Sequence, residues 1–210
     1  MHRKLILLAA LLAAGALAVL AAGCGSDHSS SSSSADTTDS AFVTDMIPHH
    51  QGAIDMALIA QSKAEHPEIR KMADDIISAQ KSEIADMKNM RLEMNHMNNM
   101  DHGDDMGHGD HMGMSQAEMG MSGDMSMLRN SKQFDKTFID QMIPHHQGAI
   151  RMARRELADG KDGDVKKLAT AIIKAQTAEI AQMRAWRTQW YGSNSAKTTT
   201  TAPGSMMNGN

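Results

Sequence analysis

The runs Met46-Ile-Pro-His-His-Gln-Gly-Ala-Ile54 and Met142-Ile-Pro-His-His-Gln-Gly-Ala-Ile150 carry the same adjacent histidines, His49 and His50 in one and His145 and His146 in the other. Imidazole ligates either oxidation state of copper, and a thioether is a soft donor that suits Cu(I). Met46 and Met142 each stand one helical turn ahead of a histidine pair. Further along each copy comes Gln-x-x-Glu, as Gln80 and Glu83 and as Gln176 and Glu179, with Met87 and Met183 one turn beyond. At about 100° per residue from Phe42, the residues Met46, His49, Ala53, Met56, Ala57 and Ala60 share one helical face. Val43, His50 and Ile54 flank that face, and Thr44, Asp45, Gln51, Gly52 and Asp55 fill the opposite arc. In the following segment Ile69, Met72, Ala73, Ile76, Ile77, Ile84, Met87 and Met94 form a stripe that contains Gln80 and Glu83.

Polar groups on an apolar face cost a few kcal/mol each unless they find partners. Two explanations are open. In one, His and Glu hydrogen-bond across a helical bundle and fix its register. In the other, Met46, His49, His50, Met142, His145 and His146 ligate a metal ion, completed by Met87 and Met183. Gln80, Glu83, Gln176 and Glu179 would then stand behind the ligands and orient an imidazole through its second nitrogen. Recurrence of the set in both copies favours the metal. Adjacent histidines diverge by about 100° on a helix, so at most one of each pair is expected to ligate the ion.

The stretch between the copies points the same way. From Met94 to Met127 there are ten methionines and four histidines among Gly, Asp and Asn. A segment with no long apolar period builds no core of its own, so we expect it to be mobile. Its thioethers and imidazoles, at His96, Met97, Met100, His102, Met106, His108, His111, Met112 and Met114, form a second, weaker set of expected metal ligands. A Ca²⁺ loop would use the aspartates and would not need the methionines. Copper is therefore the expected ion, with Cu(I) favoured and Cu(II) admitted.

These residues need helices to position them. The chain repeats at an offset of 96: residues 42–57 match 138–153 at 12 of 16 positions, and 68–94 match 164–190 at 11 of 27, without a gap. The ten intervening positions match nowhere, as a helix end and a turn would. Each copy reads as helix, turn, helix, with Pro67 at a helix start and Gly160 and Gly163 between helices. Two such hairpins can bury their stripes only against each other, which predicts an all-α antiparallel four-helix bundle built from two repeated helical hairpins. The expected helices are about 24–28 residues long, over 40–64, 68–94, 134–159 and 164–190, with Pro48 and Pro144 kinking the first and third. The bundle spans 40–191, divided into repeat 1 (40–94), the Met/His-rich linker (95–133) and repeat 2 (134–191).

Outside the bundle, residues 1–23 read as an export signal. His2, Arg3 and Lys4 precede an apolar run from Leu5 to Leu20, and Ala21, Ala22 and Gly23 lead into the sole cysteine, Cys24. That arrangement resembles a bacterial lipoprotein processing site, with Cys24 as the lipidated first residue of the mature chain on the outer side of a cell membrane. The Ser-rich stretch 24–39 reads as a flexible tether, and 192–210 as a disordered tail. Six aromatic residues in 210 argue against β-sandwiches and aromatic nucleic-acid readers. Without Arg3 and Lys4, 19 basic residues face 25 acidic ones, which offers nothing to nucleic acid. One cysteine builds neither an intrachain disulfide nor a cysteine-based zinc site.

The paired Met-Ile-Pro-His-His-Gln-Gly-Ala-Ile motifs, each followed by Gln-x-x-Glu-Ile-Ala-x-Met, resemble the family catalogued as domain of unknown function 305. The resemblance covers about residues 40–191. It implies a ferritin-like four-helix bundle, export, and a role in copper binding and resistance, and it supplies no reaction. A di-iron oxidase would need Glu from two helices and Glu-x-x-His from the other two. The one such motif, Glu93 with His96, becomes Gln189 and Gly192 in the second copy. No Ser–His–Asp order, phosphate loop or catalytic cysteine is present. The sequence thus reads as an exported, membrane-tethered protein that sequesters or buffers copper without catalysing a reaction. A di-iron oxidase and a metal-free, partner-binding bundle are the alternatives, and the protein partner is unspecified.

Overall fold

Helix ends are set by residues that satisfy orphan backbone groups. In the computed structural model, which describes residues 33–101 and 111–192, α1 (Ser33–Lys63) gives way to α2 (Pro67–Asp101) after three residues. Pro67 opens α2, where its missing N–H costs nothing. The short α3 (Met125–Asn130) is capped by Asp124, and α4 (Phe134–Asp159) closes with the Gly160 N–H on the Glu156 carbonyl. The Asp162 side chain then accepts from Asp164 and Val165 and starts α5 (Gly163–Tyr191). Among the described residues every regular element is a helix.

α1 packs along α2 and α4 along α5, and the two hairpins meet chiefly through α1 and α4. α2 and α5 barely touch. The stripes expected from periodicity are the buried faces: Phe42, Met46, Ala53, Met56, Ala57 and Ala60 on α1, and Ile69, Met72, Ala73, Ile76, Ile77, Ile84 and Met87 on α2. Alanine, isoleucine and methionine make up most of this core. Alanine lets helix axes approach, and the unbranched thioether fills the irregular gaps that remain.

Two carboxylates tie the hairpin turns to the opposite repeat. Asp135, at the start of α4, accepts from the Glu65 and His66 N–H groups and from His66 Nδ1 at 2.6–3.2 Å. Asp39, at the start of α1, accepts from the Lys161 and Asp162 N–H groups at 3.1 Å. The two positions are 96 apart, so the repeat extends upstream of Phe42. Each hairpin's turn is pinned by the first turn of the other hairpin.

Three expectations are corrected. α1 begins at Ser33, inside the stretch read as a tether, and α2 runs to Asp101, inside the stretch read as a linker. Beyond the gap in the description, residues 111–130 lie on the bundle, with Met112 3% and Leu128 0% exposed. Asp45, placed on the outward arc of α1, is buried because this segment covers it: the Met112 N–H donates to Asp45 Oδ2 at 2.7 Å and His111 Nδ1 to Oδ1 at 2.5 Å. The helical period places a residue relative to its own helix and is blind to a strap that arrives from elsewhere. No described helix is long and apolar enough to cross a membrane.

Candidate metal centre

The histidine pairs sit where α1 crosses α4. His49 and His145 face each other across the pseudo-two-fold, with ring centroids 3.9 Å apart and planes tilted by 44°. His50 and His146 diverge from them toward α2 and α5. His50 Nε2 donates to Glu83 Oε2 at 2.6 Å, and His146 Nε2 to Glu179 Oε2 at 2.7 Å. Both imidazoles are fully buried, whereas the two carboxylates are about one-fifth exposed at 19% and 22%. Each Glu therefore reaches from the core toward solvent, Glu179 into a shallow cleft between α2 and α5.

The remaining ring atoms are orphans. His49 Nε2 donates to the Met119 carbonyl at 2.8 Å. That leaves the Nδ1 atoms of His49, His50 and His146 buried without a partner, and His145 without one at either nitrogen. Gln80 and Gln176, 4% and 3% exposed, leave their Oε1 atoms unpaired. An unpaired buried acceptor costs about 1–3 kcal/mol, and this core repeats the arrangement in both halves. Burial drives the His49 imidazole down to about 3, with the neighbouring His50 and His146 adding to the effect against the Met119 hydrogen bond. His145 is held well below the ordinary imidazole range, first by burial and then by His49, His146 and His50. Both rings are neutral at physiological pH, the protonation state in which a ring nitrogen ligates a metal.

The thioethers of Met46, Met87, Met142 and Met183 are 0% exposed and belong to the same core. Among the described residues, no three His, Cys, Asp or Glu side chains are grouped to hold an ion by themselves. A cation here would thus draw on imidazole together with thioether. That is a soft, low-coordinate donor set, unlike the carboxylate cages of di-iron centres or the oxygen cages of Ca²⁺.

The second set of expected ligands is dispersed. His102, Met106 and His108 fall outside the described residues, as do Cys24, the export signal and the tail. His96 is exposed on α2, Met97 and Met100 fall in its last turns, His111 is exposed and bound to Asp45, Met112 is buried in the core and Met114 is half-buried against it. Sequence reasoning missed the Met119 carbonyl, because a backbone acceptor leaves no side-chain signature. The glycines against which it packs did carry a signal. A Cβ on Gly148 would lie 1.6 Å from Met119 O, and Gly120, at φ +74°, would place one 2.2 Å from the Pro144 carbonyl. Only glycine permits that approach.

Residues 39–187 and 160–209 match the family described as domain of unknown function (DUF305). Among solved structures, the chain is similar to CopM in its Cu(I)-bound form at 38% identity. That match covers 73% of this chain and 98% of that one, with a TM-score of 0.58. CopM is also matched in apo, Cu(II)-bound and Ag-bound forms. A putative secreted DUF305 protein from Streptomyces coelicolor matches at 27% identity over 74% of this chain and 93% of that one, with a TM-score of 0.57. An uncharacterized protein of Acanthamoeba polyphaga mimivirus is 45% identical over 49 residues, 23% of this chain and 32% of that protein. The chain spans about a third of this curated relative.

Proposed function

The chain belongs to the DUF305 family, and we propose that it is an exported copper-binding protein that sequesters or buffers copper in the cell envelope and catalyses no reaction. One observation carries the reading. The core holds four buried imidazoles, duplicated by the repeat, with five orphaned ring nitrogens, and four buried thioethers recur with them in both copies. Similarity to CopM, solved with Cu(I), Cu(II) and Ag bound, supports that reading.

In this proposal one ion sits near Met46, His49, His50 and Met87, and another near Met142, His145, His146 and Met183. Glu83 and Glu179 fix the Nε2–H tautomers of His50 and His146 and so present Nδ1 to the metal, a carboxylate–histidine–metal arrangement. Gln80 and Gln176 back the cluster. The Met/His-rich stretch 95–133 adds weaker ligands. Cu(I) is favoured by the thioethers, and the four long helices are of the ferritin-like kind. Residues 1–23 act as the export signal, Cys24 as a lipidated membrane anchor, and the following Ser-rich stretch as its tether.

The test is an anaerobic Cu(I) titration of the mature protein against a competing chelator. Replacing Met46, Met87, Met142 and Met183 with Leu nearly conserves volume and removes only the sulfurs, so the helices persist and tight binding weakens at least tenfold. Replacing the four histidines with Ala abolishes it. If both folded variants bind as tightly as the parent, the His–Glu pairs serve only to set the register of the bundle. Copper would then belong to the connecting segment.

A further inference from the structure

The repeat supplies two equivalent histidine sites, but the chain has only one connecting segment with which to cover them. Residues 111–121 form a strap across α4. Asp45 holds the strap's start through His111 and the Met112 N–H. Arg155 donates to the Met112 carbonyl, and Arg151 donates to the Glu118 carbonyl through Nε at 2.7 Å. A turn over 115–120 then lowers the Met119 carbonyl onto His49 Nε2 over the Cβ-less surface of Gly148. The counterpart of Gly148 at the repeat offset is Gly52, and the counterpart of His49 is His145. At Gly52 no described residue forms such a strap: among the described residues a Cβ there would meet only His145 Nε2, at 3.3 Å. That nitrogen is buried without a partner, as is the Nδ1 of the same ring.

Building on the copper reading, we propose that the two half-sites are unequal: His145 is the open ligand that takes the first soft cation, and His49 is latched by the Met119 carbonyl until the strap is released. The latch commits His49 to the Nε2–H tautomer and leaves Nδ1 as its only donor lone pair. His145 carries no such constraint. At His145 either ring nitrogen is available to a cation, whereas His49 offers only Nδ1 and a cation that uses His49 Nε2 must first break a hydrogen bond. The difference expected from one net hydrogen bond is about five- to tenfold in affinity.

Gly148→Ala is the direct probe, because its methyl group collides with strap backbone and leaves every histidine in place. Arg151→Ala with Arg155→Ala loosens the strap from outside the core, should the methyl group also disturb α4. In the metal-free wild type, the imidazole ¹H–¹⁵N spectrum is expected to show a hydrogen-bonded Nε2–H on His49 and no hydrogen-bonded ring N–H on His145. Both sets of variants lose the His49 signal while helicity is kept. Titration with Ag(I), and anaerobically with Cu(I), then shows two steps in the wild type, the first moving His145. In the variants the second step tightens toward the first. Gly52→Ala, which narrows the approach to His145, weakens the first step and spares the second.

Three results overturn the proposal. One is equal binding at both sites, with the His49 and His145 signals moving together. Another is an unchanged second step in variants whose His49 signal shows the strap released. The third is a His49 ring N–H that shows no more hydrogen bonding than that of His145. A hydrogen-bonded His49 Nε2–H together with no uptake of either ion places the failure in the copper reading instead, and the loading order falls with it.

Discussion

Glu156 offers a test of the architecture that needs no metal. It lies in the last turns of α4, 0% exposed, beside Asp39 at the start of α1. Burial first, then a hydrogen bond and repulsion from Asp39, with a smaller push from Asp162, raise its carboxyl from 4.5 to about 8 against the pull of Lys166. Between those two values the folded protein holds a proton that the unfolded chain has released. Stability is therefore full below about pH 4.5 and falls as the pH rises through about 8. The span bounds the loss at ~5 kcal/mol, a large fraction of the stability of a domain this size. Buried His49 and His145 act in the opposite direction. Their folded values lie below the unfolded 6.5, so their contribution is present above pH 6.5 and lost as the pH falls. Glu156→Gln removes the alkaline arm alone, since the amide is isosteric and donates to Asp39 at every pH. Urea midpoints of wild type and variant from pH 5 to 9 give a difference curve. It should rise in favour of the variant by about 2–5 kcal/mol and level off above pH 8. A flat difference curve would refute the shared-proton account of this bundle end.

Two further outcomes follow from the same geometry. Glu83→Gln with Glu179→Gln should keep the helices and weaken Cu(I) binding about ten- to a hundredfold, as loss of a carboxylate behind a ligating imidazole does; an unchanged chelator competition would show that these carboxylates serve packing only. Cys24→Ser should move the protein from the membrane to the soluble fraction, and recovery of the wild type without detergent, carrying no lipid on Cys24, would remove the anchor from the proposal.

The period of the sequence carried the helices, their buried faces and the histidine pairs, because burial on a regular helix follows from the position of a residue on that helix. Asp39 and Asp135 were not legible. They match at the repeat offset, but each reaches across from the early part of its helix to the turn of the other hairpin, where helical period conveys nothing. Met112 and Asp45 were not legible. Their burial comes from a segment of Gly, Met, Ser and Asp with no periodicity of its own, fixed by backbone carbonyls that accept from Arg151 and Arg155 and by a backbone N–H that donates to Asp45. Composition marked that segment as rich in donors. It could not say that a carbonyl rather than a thioether would reach His49.

Duplication explains why the core tolerates so many unpaired polar atoms. A single hairpin presenting His49, His50, Gln80 and Glu83 on its apolar face would have no opposing surface to bury them against. Two copies bring His49 against His145 across α1 and α4 and send His50 and His146 outward to carboxylates of their own hairpins. The near-absence of contact between α2 and α5 leaves Glu83 and Glu179 partly in water, so the charged end of each pair stays solvated while the ring stays dry. That division leaves the unpaired ring nitrogens in the same buried region as the four thioethers. The connecting residues 111–121 hold to Gly148, Arg151 and Arg155 of one copy and latch His49 of the other, with no described counterpart over Gly52. The asymmetry between His49 and His145 is thus a consequence of linking two equal halves by a single chain.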